Sequence, residues 1–304
     1  MSTAIKPAWI ALDWGTSHLR AYAMGPRGTV LARAQSADGM GALTLVGFEP
    51  ALLRLIEPWL GQGTVPVLAC GMVGAKQGWF EAPYRPAPCK PGMAPPITPP
   101  TNDPRIALHI LPGVSQAKPA DVMRGEETQV AGVIAEQPQF DGVLCLPGTH
   151  TKWIHISAAE IVSFQTAMTG EMFALLAGQS VLRHSVGGDD LDQAAFDQAV
   201  ADMLSRPERL AQALFGIRAE GLLHGTGAAQ SRGRLSGLLI GAELAATRPY
   251  WLGQNVLVGG APALVALYSR ALAAQGVPVQ CRDAETLTLA GLTLAWTFLS
   301  ETLQ

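Results

Sequence analysis

Cysteine is scarce and scattered. Its four copies, Cys70, Cys89, Cys145 and Cys281, never form a CxxC pair. That spacing excludes a zinc ribbon and a thioredoxin-type motif, and reads as four small buried residues in a reducing compartment. Charge is thin too: 15% of residues are charged and the net charge is −3, with no long run of either sign. Such a balance supplies no footprint for nucleic acid or anionic lipid. The longest apolar stretch near the end, Leu287–Leu299, is interrupted by Thr and Gly and is too short to span a bilayer. A short polar lead runs directly into an apolar segment, without the charged start of a secretory signal, so a cytoplasmic protein is expected. Also missing are GxxxxGK[ST], GxGxxG and GxSxG, which removes the P-loop, the dinucleotide fingerprint and the hydrolase elbow.

What is present is a large apolar inventory. At 304 residues and 48% hydrophobic, the chain suits two globular domains. Trp9–Leu12 and Leu19–Met24 read as strands around a turn at Gly15–His18. Thr29–Ala34 follows as a third strand, Pro50–Leu60 as an amphipathic helix and Val65–Cys70 as a buried strand. Strand, hairpin, helix, strand is an α/β order. Between Pro83 and Pro104, nine of twenty-two residues are proline. Proline excludes a helix or central strand there, so this stretch reads as an extended flap before a strand at Ile106–Leu111.

Asp121–Glu136 reads as a helix with Asp121 near its start. Gly142–Leu146, a turn, and Trp153–Ile156 then repeat the opening strand–turn–strand pattern, which implies two related halves. Helices follow at Glu171–Ala177, Leu191–Leu204, Pro207–Ala219 and Gly237–Ala246. Asn255–Val258 is a strand, Pro262–Ala274 a helix, and Asp283 caps a final helix through Leu299. The implied domains are residues 1–138 with 284–304, and residues 139–283.

Three motifs carry chemistry. Asp13-Trp14-Gly15-Thr16-Ser17 ends a strand: the glycine permits a sharp turn, and amides with hydroxyls can cradle phosphate oxygens. Asp13 beside them suits a magnesium ion held through water. Gly148-Thr149-His150-Thr151-Lys152 repeats that logic with a lysine in place of the acid, and His150 is either a phosphate donor or a satisfied turn residue. Val258-Gly259-Gly260 ends a strand and opens a helix, permitting flat approach of an adenine or ribose. Between the first two lies Arg124-Gly125-Glu126-Glu127. Either glutamate could orient a substrate hydroxyl and accept its proton, or stabilise the helix dipole. Glu126, nearest the helix start, is the expected base, with Glu127 left to magnesium-bound water or the cap. Arg124 suits bidentate pairing with a carboxylate.

In this order the motifs resemble the phosphate-1, phosphate-2 and adenosine motifs of the actin-like ATPase superfamily. The whole chain resembles the 2-dehydro-3-deoxygalactonokinase family. That likeness rests on Asp13–Ser17 with Arg20, Gly71-Met72-Val73-Gly74 with Trp79, Arg124–Thr128, Pro147–Trp153, Gly237–Gly241 with Glu243, and Val258–Gly260. It implies a two-domain actin-like (ribonuclease H-like) sugar kinase fold, each domain a mixed sheet flanked by helices about a cleft. It implies transfer from ATP, with Mg2+, to the 6-hydroxyl of 2-dehydro-3-deoxy-D-galactonate. Gly15, Thr16, Ser17, Arg20, Gly148, Thr149, His150, Thr151 and Lys152 would serve the phosphates. Gly259 and Gly260 would serve the adenosine, and Asp13 the metal. For the sugar acid the expected contacts are Gly71, Met72, Val73, Gly74, Trp79 and Arg124. Partners are then small molecules only, with neither nucleic acid nor membrane, and a homo-oligomer is left open. An exopolyphosphatase-type phosphohydrolase and a non-catalytic sugar sensor are the competing readings of the same fold.

Overall fold

The computed structural model describes residues 5–302. It divides into two units. One takes the chain through Phe140, then Ile156–Ser163 and the segment from Ala284; the other takes Asp141–His155 and Phe164–Asp283.

In the first unit the strands are β1 (Trp9–Trp14), β2 (Leu19–Met24), β3 (Val30–Ser36), β4 (Val65–Gly71), β5 (Tyr84–Pro86), β6 (Ile106–Ile110), β7 (Gly113–Gln116) and β8 (Asp121–Met123). Its helices are α1 (Phe48–Ile56) and α2 (Glu126–Glu136). The main sheet runs β3-β2-β1-β4-β6, and β5, β7 and β8 form a small second sheet. β1 is antiparallel to β2 and parallel to β4, which is parallel to β6. Period-two alternation sorts the side chains. Ile10, Leu12 and Trp14 face a core shared with Phe48, Leu52 and Ile56 of α1, while Trp9 and Ala11 face the other side with Leu68 and Cys70. α1 stops at Ile56 because Pro58 cannot continue an α-helix, and a 3-10 turn follows. Trp14 is wholly buried against Phe48 and Trp79, so Trp14→Ala would cost about 3–5 kcal/mol.

The second unit contains β9 (Gly142–Leu146), β10 (Thr151–Ser157), β11 (Glu160–Ala167), α3 (Thr169–Gln179), α4 (Gln193–Ser205), α5 (Leu210–His224), α6 (Ala228–Ala246), α7 (Arg248–Trp251), β12 (Val256–Gly260), α8 (Pro262–Ala273) and β13 (Val279–Asp283). The tip of the β10–β11 hairpin counts with the first unit, where Ile161 pairs with Cys89. α9 (Ala284–Thr302) returns to the first unit and stacks Trp296 on Trp9, with ring centroids 5.0 Å apart. The second sheet runs β11-β10-β9-β12-β13. Each sheet is therefore three sequential strands followed by a parallel crossover, the doubling that the repeated strand–turn–strand motif implied.

Several expectations need correction. Asp121 does not begin a helix: Asp121–Met123 is β8, and Gly125, at φ 107°, turns the chain so that α2 starts at Glu126. The proline-rich stretch, expected as an extended flap, is tied down. It is pinned by β5 and by bridges from Cys89 to Ile161 and from Ile97 to Ile110, with Cys89, Pro91 and Ala94 buried. β11 and β13 were not foreseen, because edge strands rich in Gln, Ser, Thr and Arg lack the apolar run that marks a buried strand. Cys70, Cys89 and Cys145 are buried as expected, whereas Cys281, on the edge strand β13, is exposed.

Candidate active site

The first turn is built from backbone. Trp14 is anchored below it through Nε1, which donates to the Asp38 carbonyl at 2.8 Å. The Gly15 amide closes the turn on the His18 carbonyl at 2.9 Å. Residues 39–41 then lie directly over it, Met40 and Gly41 donating to the carbonyls of Gly15 and Thr16. A Cβ on Gly39 would sit 2.3 Å from Thr16 O, so only glycine permits this closeness. Thr16 and Ser17 remain exposed. Asp13, opposite Arg20 in the β1–β2 register, accepts a 2.9 Å hydrogen bond from Arg20 Nη1 at Oδ2. Arg20 thus braces the acid at the foot of the turn.

The two glutamates occupy different environments. Glu126 is half-buried, and its Oε2 accepts the Arg124 amide at 3.0 Å. Glu127 is buried, its Oε2 accepting the Gly125 amide at 2.7 Å while Oε1 has no partner. Desolvation, reinforced by the neighbouring charge of Glu126, pushes the Glu127 carboxyl up to about 8. Its seal is the proline-rich stretch: Cys89, Pro91, Gly92 and Ala94 wall a cavity of about 20 Å³ beside Glu127 and Thr128. Burial, with the charges of Asp13 and Glu127 adding to it, drives the Cys70 thiol upward; Cys70 is the register neighbour of Asp13 where β4 runs beside β1.

The expected sugar contacts fare unevenly. Gly71, at φ 93°, packs against Gly125, and Gly74 lies against the Arg124 guanidinium. Met72 is half-buried, whereas Val73 is core. Trp79 is also core, stacked on Phe48 and Phe80. It touches a cavity of about 810 Å³ whose charged groups are already engaged, Arg105 by Glu57 and Asp103, and Glu49 by Asn102 and Asp103. Arg124 donates Nη2 to the Ala82 carbonyl at 2.8 Å and lies 4.3 Å above the Tyr84 ring, with Nε and Nη1 buried and unpartnered. As placed, that guanidinium is sealed beneath Ala82 and Tyr84. The bidentate pairing read from the sequence requires this segment to shift.

The second turn has the same plan and a different foundation. The first turn of α3 lies over it: a Cβ on Gly170 would come within 2.2 Å of Gly148 O, and the Glu171 amide donates to Thr149 O at 2.9 Å. His150 and Thr149 are exposed, and His150 Nε2 meets Glu171 Oε2 at 2.6 Å. Thr151 and Lys152 depart from expectation. Thr151 is fully buried, bonded to the Tyr268 hydroxyl at 2.9 Å. Lys152, on the opposite face of β10, is buried with Nζ donating to Thr166 Oγ1 at 2.7 Å. Strand alternation sends it away from the turn, so it is not placed to meet a phosphate there.

Beneath this turn sits a buried carboxylate, Glu243 of α6. It accepts hydrogen bonds from Trp153 Nε1 at 2.7 Å, from the Tyr268 hydroxyl at 2.8 Å and from the Thr169 hydroxyl. Desolvation raises its carboxyl, and these donors oppose that shift. The residue entered the sequence reading only as part of a family-like block. A lone acid beside Leu238, Leu239, Ile240 and Leu244 is the signal, since a charge on an apolar stripe must be partnered.

The turn opens on a cavity of about 640 Å³, largely apolar in its lining. Gly148, Thr149, Thr169 and Gly170 form one end, and Ile240, Ala263, Leu264 and Leu267 the walls. Arg232 lies 5.0 Å above the Phe173 ring at its edge. Gly259 and Gly260 do not line it; α8, which they introduce, does. Among the described residues no cluster of three acidic, His or Cys side chains could cage a metal, and no helix is long and apolar enough to cross a membrane.

Comparison with known proteins points one way. The family described as 2-keto-3-deoxy-galactonokinase matches residues 13–295. A probable 2-dehydro-3-deoxygalactonokinase of Rhizobium meliloti (strain 1021) is 39% identical, covering 94% of this chain and 96% of its own. The 2-dehydro-3-deoxygalactonokinase of Escherichia coli (strain K12) is 35% identical, covering 93% and 96%. A crystal structure of a 2-dehydro-3-deoxygalactonokinase-type protein from Sinorhizobium meliloti superposes with a TM-score of 0.86 at 37% identity, covering 95% of both chains.

Proposed function

This chain belongs to the 2-keto-3-deoxy-galactonokinase family, with the two-unit actin-like sugar kinase fold, and from that premise we propose how its residues divide the work of an ATP-dependent sugar-acid kinase. The reaction is transfer of the γ-phosphoryl group of ATP to the 6-hydroxyl of 2-dehydro-3-deoxy-D-galactonate. The observation that carries the reading is the apolar cavity of the second unit with a glycine-hydroxyl turn at its mouth. Its volume suits a nucleoside, and its polar end is where phosphates would emerge. Gly148, Thr149 and His150 would meet them there.

In the first unit, Gly15, Thr16 and Ser17 would take the terminal phosphates. Asp13 fits magnesium: Arg20 engages only Oδ2, and a single carboxylate completed by phosphates and water matches that ion's habit. Asp13 would hold the ion there, and the chemistry the ion would supply is neutralisation of charge on the transferring group. Glu126 accepts the hydroxyl proton, being the less buried of the pair. Glu127, sealed and carrying a raised pKa, holds the helix start in place through the Gly125 amide. The Gly71–Gly74 turn and the positive charge of Arg124 behind it would attract the sugar-acid carboxylate. ADP release should be measured with 2-dehydro-3-deoxy-D-galactonate, with its gluconate epimer, with polyphosphate and with no acceptor. Release that depends on the sugar acid supports the kinase. Acceptor-independent release would indicate a hydrolase, and none at all a sensor.

A further inference from the structure

We propose that Glu243 is a positioning residue for nucleotide binding, tying the second turn to the wall of the cavity it opens on. The inference rests on the reading of that cavity as the nucleoside site. Glu243 is 5% exposed, yet hydrogen-bond donors from three different elements converge on its two oxygens. Trp153 Nε1 can only donate, and it fixes Oε1 as an acceptor. The hydroxyls of Tyr268 and Thr169 both donate to Oε2. Because the Tyr268 proton is directed at Glu243, the Tyr268 oxygen accepts from Thr151 at 2.9 Å, which extends the chain to the residue that follows His150.

Each partner leads to the cavity or the turn. Thr169 and Tyr268 both line the cavity, one at the start of α3 and one on α8. Gly170, the next residue, rests on the Gly148 carbonyl, so moving Thr169 moves the lid of the turn. Thr151 and Trp153 set the first residues of β10, and hence the direction in which the preceding amides point. The Trp153, Tyr268 and Thr169 donors all tie this buried charge to the same two features, the turn and the cavity wall. Its low-dielectric setting makes the network sensitive to loss of any member, since the others are then left unsatisfied.

The distinguishing test separates affinity from chemistry. Glu243→Gln keeps one oxygen acceptor but removes the charge that orders both hydroxyls. It should raise KM for ATP about 10–100-fold, with kcat at saturating ATP and KM for the sugar acid within about threefold of wild type. Tyr268→Phe, which removes one of the two donors to Oε2 and the link to Thr151 but keeps the Glu243 charge, should raise KM for ATP about 3–10-fold. Calorimetric titration of ATP without sugar acid should show the same order. A purely structural role would lower Tm and active fraction while leaving KM for ATP unchanged in both variants, and that result overturns the proposal. If Glu243→Gln fails to fold, Tyr268→Phe and Thr169→Val decide by the same KM criterion. Ala263→Trp puts a bulky ring on an exposed residue that lines the cavity and is not one of the hydrogen-bond partners of Glu243. If it leaves ATP binding intact, the cavity reading falls, whereas Glu243 is judged on its own variants alone.

Discussion

The two turns of this chain share a plan and differ in what lies under them. Each joins neighbouring strands at the same position of a sheet with the same strand order, and each is overlaid by a glycine that approaches its carbonyls to within contact distance, Gly39 in one unit and Gly170 in the other. Beneath the first is a half-exposed ion pair, Asp13 with Arg20, beside two glutamates. Beneath the second is a buried carboxylate that is fully wrapped in donors, and beside it an apolar cavity. Solvent-accessible charge is suited to holding a metal and moving a proton. Buried, satisfied charge is suited to holding a shape. On the function proposed above, one half of the doubled architecture would serve chemistry and the other recognition.

The largest expected effect breaks the chemical half. Asp13→Asn should lower kcat on the order of 10³-fold while ATP affinity changes little, because the carboxylate acts on charge that develops during transfer. Stopped-flow ADP release with parallel calorimetry checks this. Unchanged turnover at saturating magnesium would remove Asp13 from the metal site. Glu126→Gln should lose about 10²–10⁴-fold in kcat with ATP binding preserved, and Glu127→Gln less. A reversed order would make Glu127 the base.

Much of this was legible in the sequence and some was not, for identifiable reasons. The turns announced themselves because glycine and hydroxyls follow apolar strands at Trp9–Trp14 and Gly142–Leu146. Alternation along β10 was the missed step: reading Thr149 to Lys152 as one loop ignored that Thr151 already begins a strand, so Thr151 goes under the sheet and Lys152 to its other face. Arg124 and Trp79 are expected as ligands from their positions, at a helix start and after a strand end, and Arg124 also from its fit to a carboxylate. Burial, set by long-range packing against Ala82, Tyr84 and Phe48, is not written locally. The proline-rich stretch was correctly non-helical, but nothing in its composition says that it seals Glu127.

A middle-sized effect sharpens the recognition half. Gly170→Val places a side chain against the Gly148 carbonyl, and should raise KM for ATP at least tenfold with a smaller change in kcat. Equal losses in both would point to general misfolding.

The buried acid of the chemical half should also leave a signature in stability. The Glu127 carboxyl sits near 8 in the folded chain against an ordinary 4.5. Between these values the folded state holds a proton that the unfolded state has released, so this contribution is complete below about pH 4.5 and is lost as pH rises through 8. Wild-type Tm should therefore fall between pH 5 and pH 8.5 more steeply than that of Glu127→Gln, as followed by differential scanning calorimetry. Parallel slopes would show that Glu127 is ionised throughout.

The smallest effect is expected at Lys152. Lys152→Met should leave KM for ATP within about threefold, since its ammonium faces Thr166 and not the turn. A large rise would mean that the lysine swings to the phosphates when ATP binds.

The division of labour is tested most directly by titrating ATP and 2-dehydro-3-deoxy-D-galactonate separately into Ala263→Trp. Crowding the cavity of the second unit should weaken ATP binding at least tenfold and leave sugar-acid affinity within a factor of about three. Retained ATP binding, or parallel loss of both ligands, would contradict the assignment of the nucleoside to that cavity and of the sugar acid to the first unit.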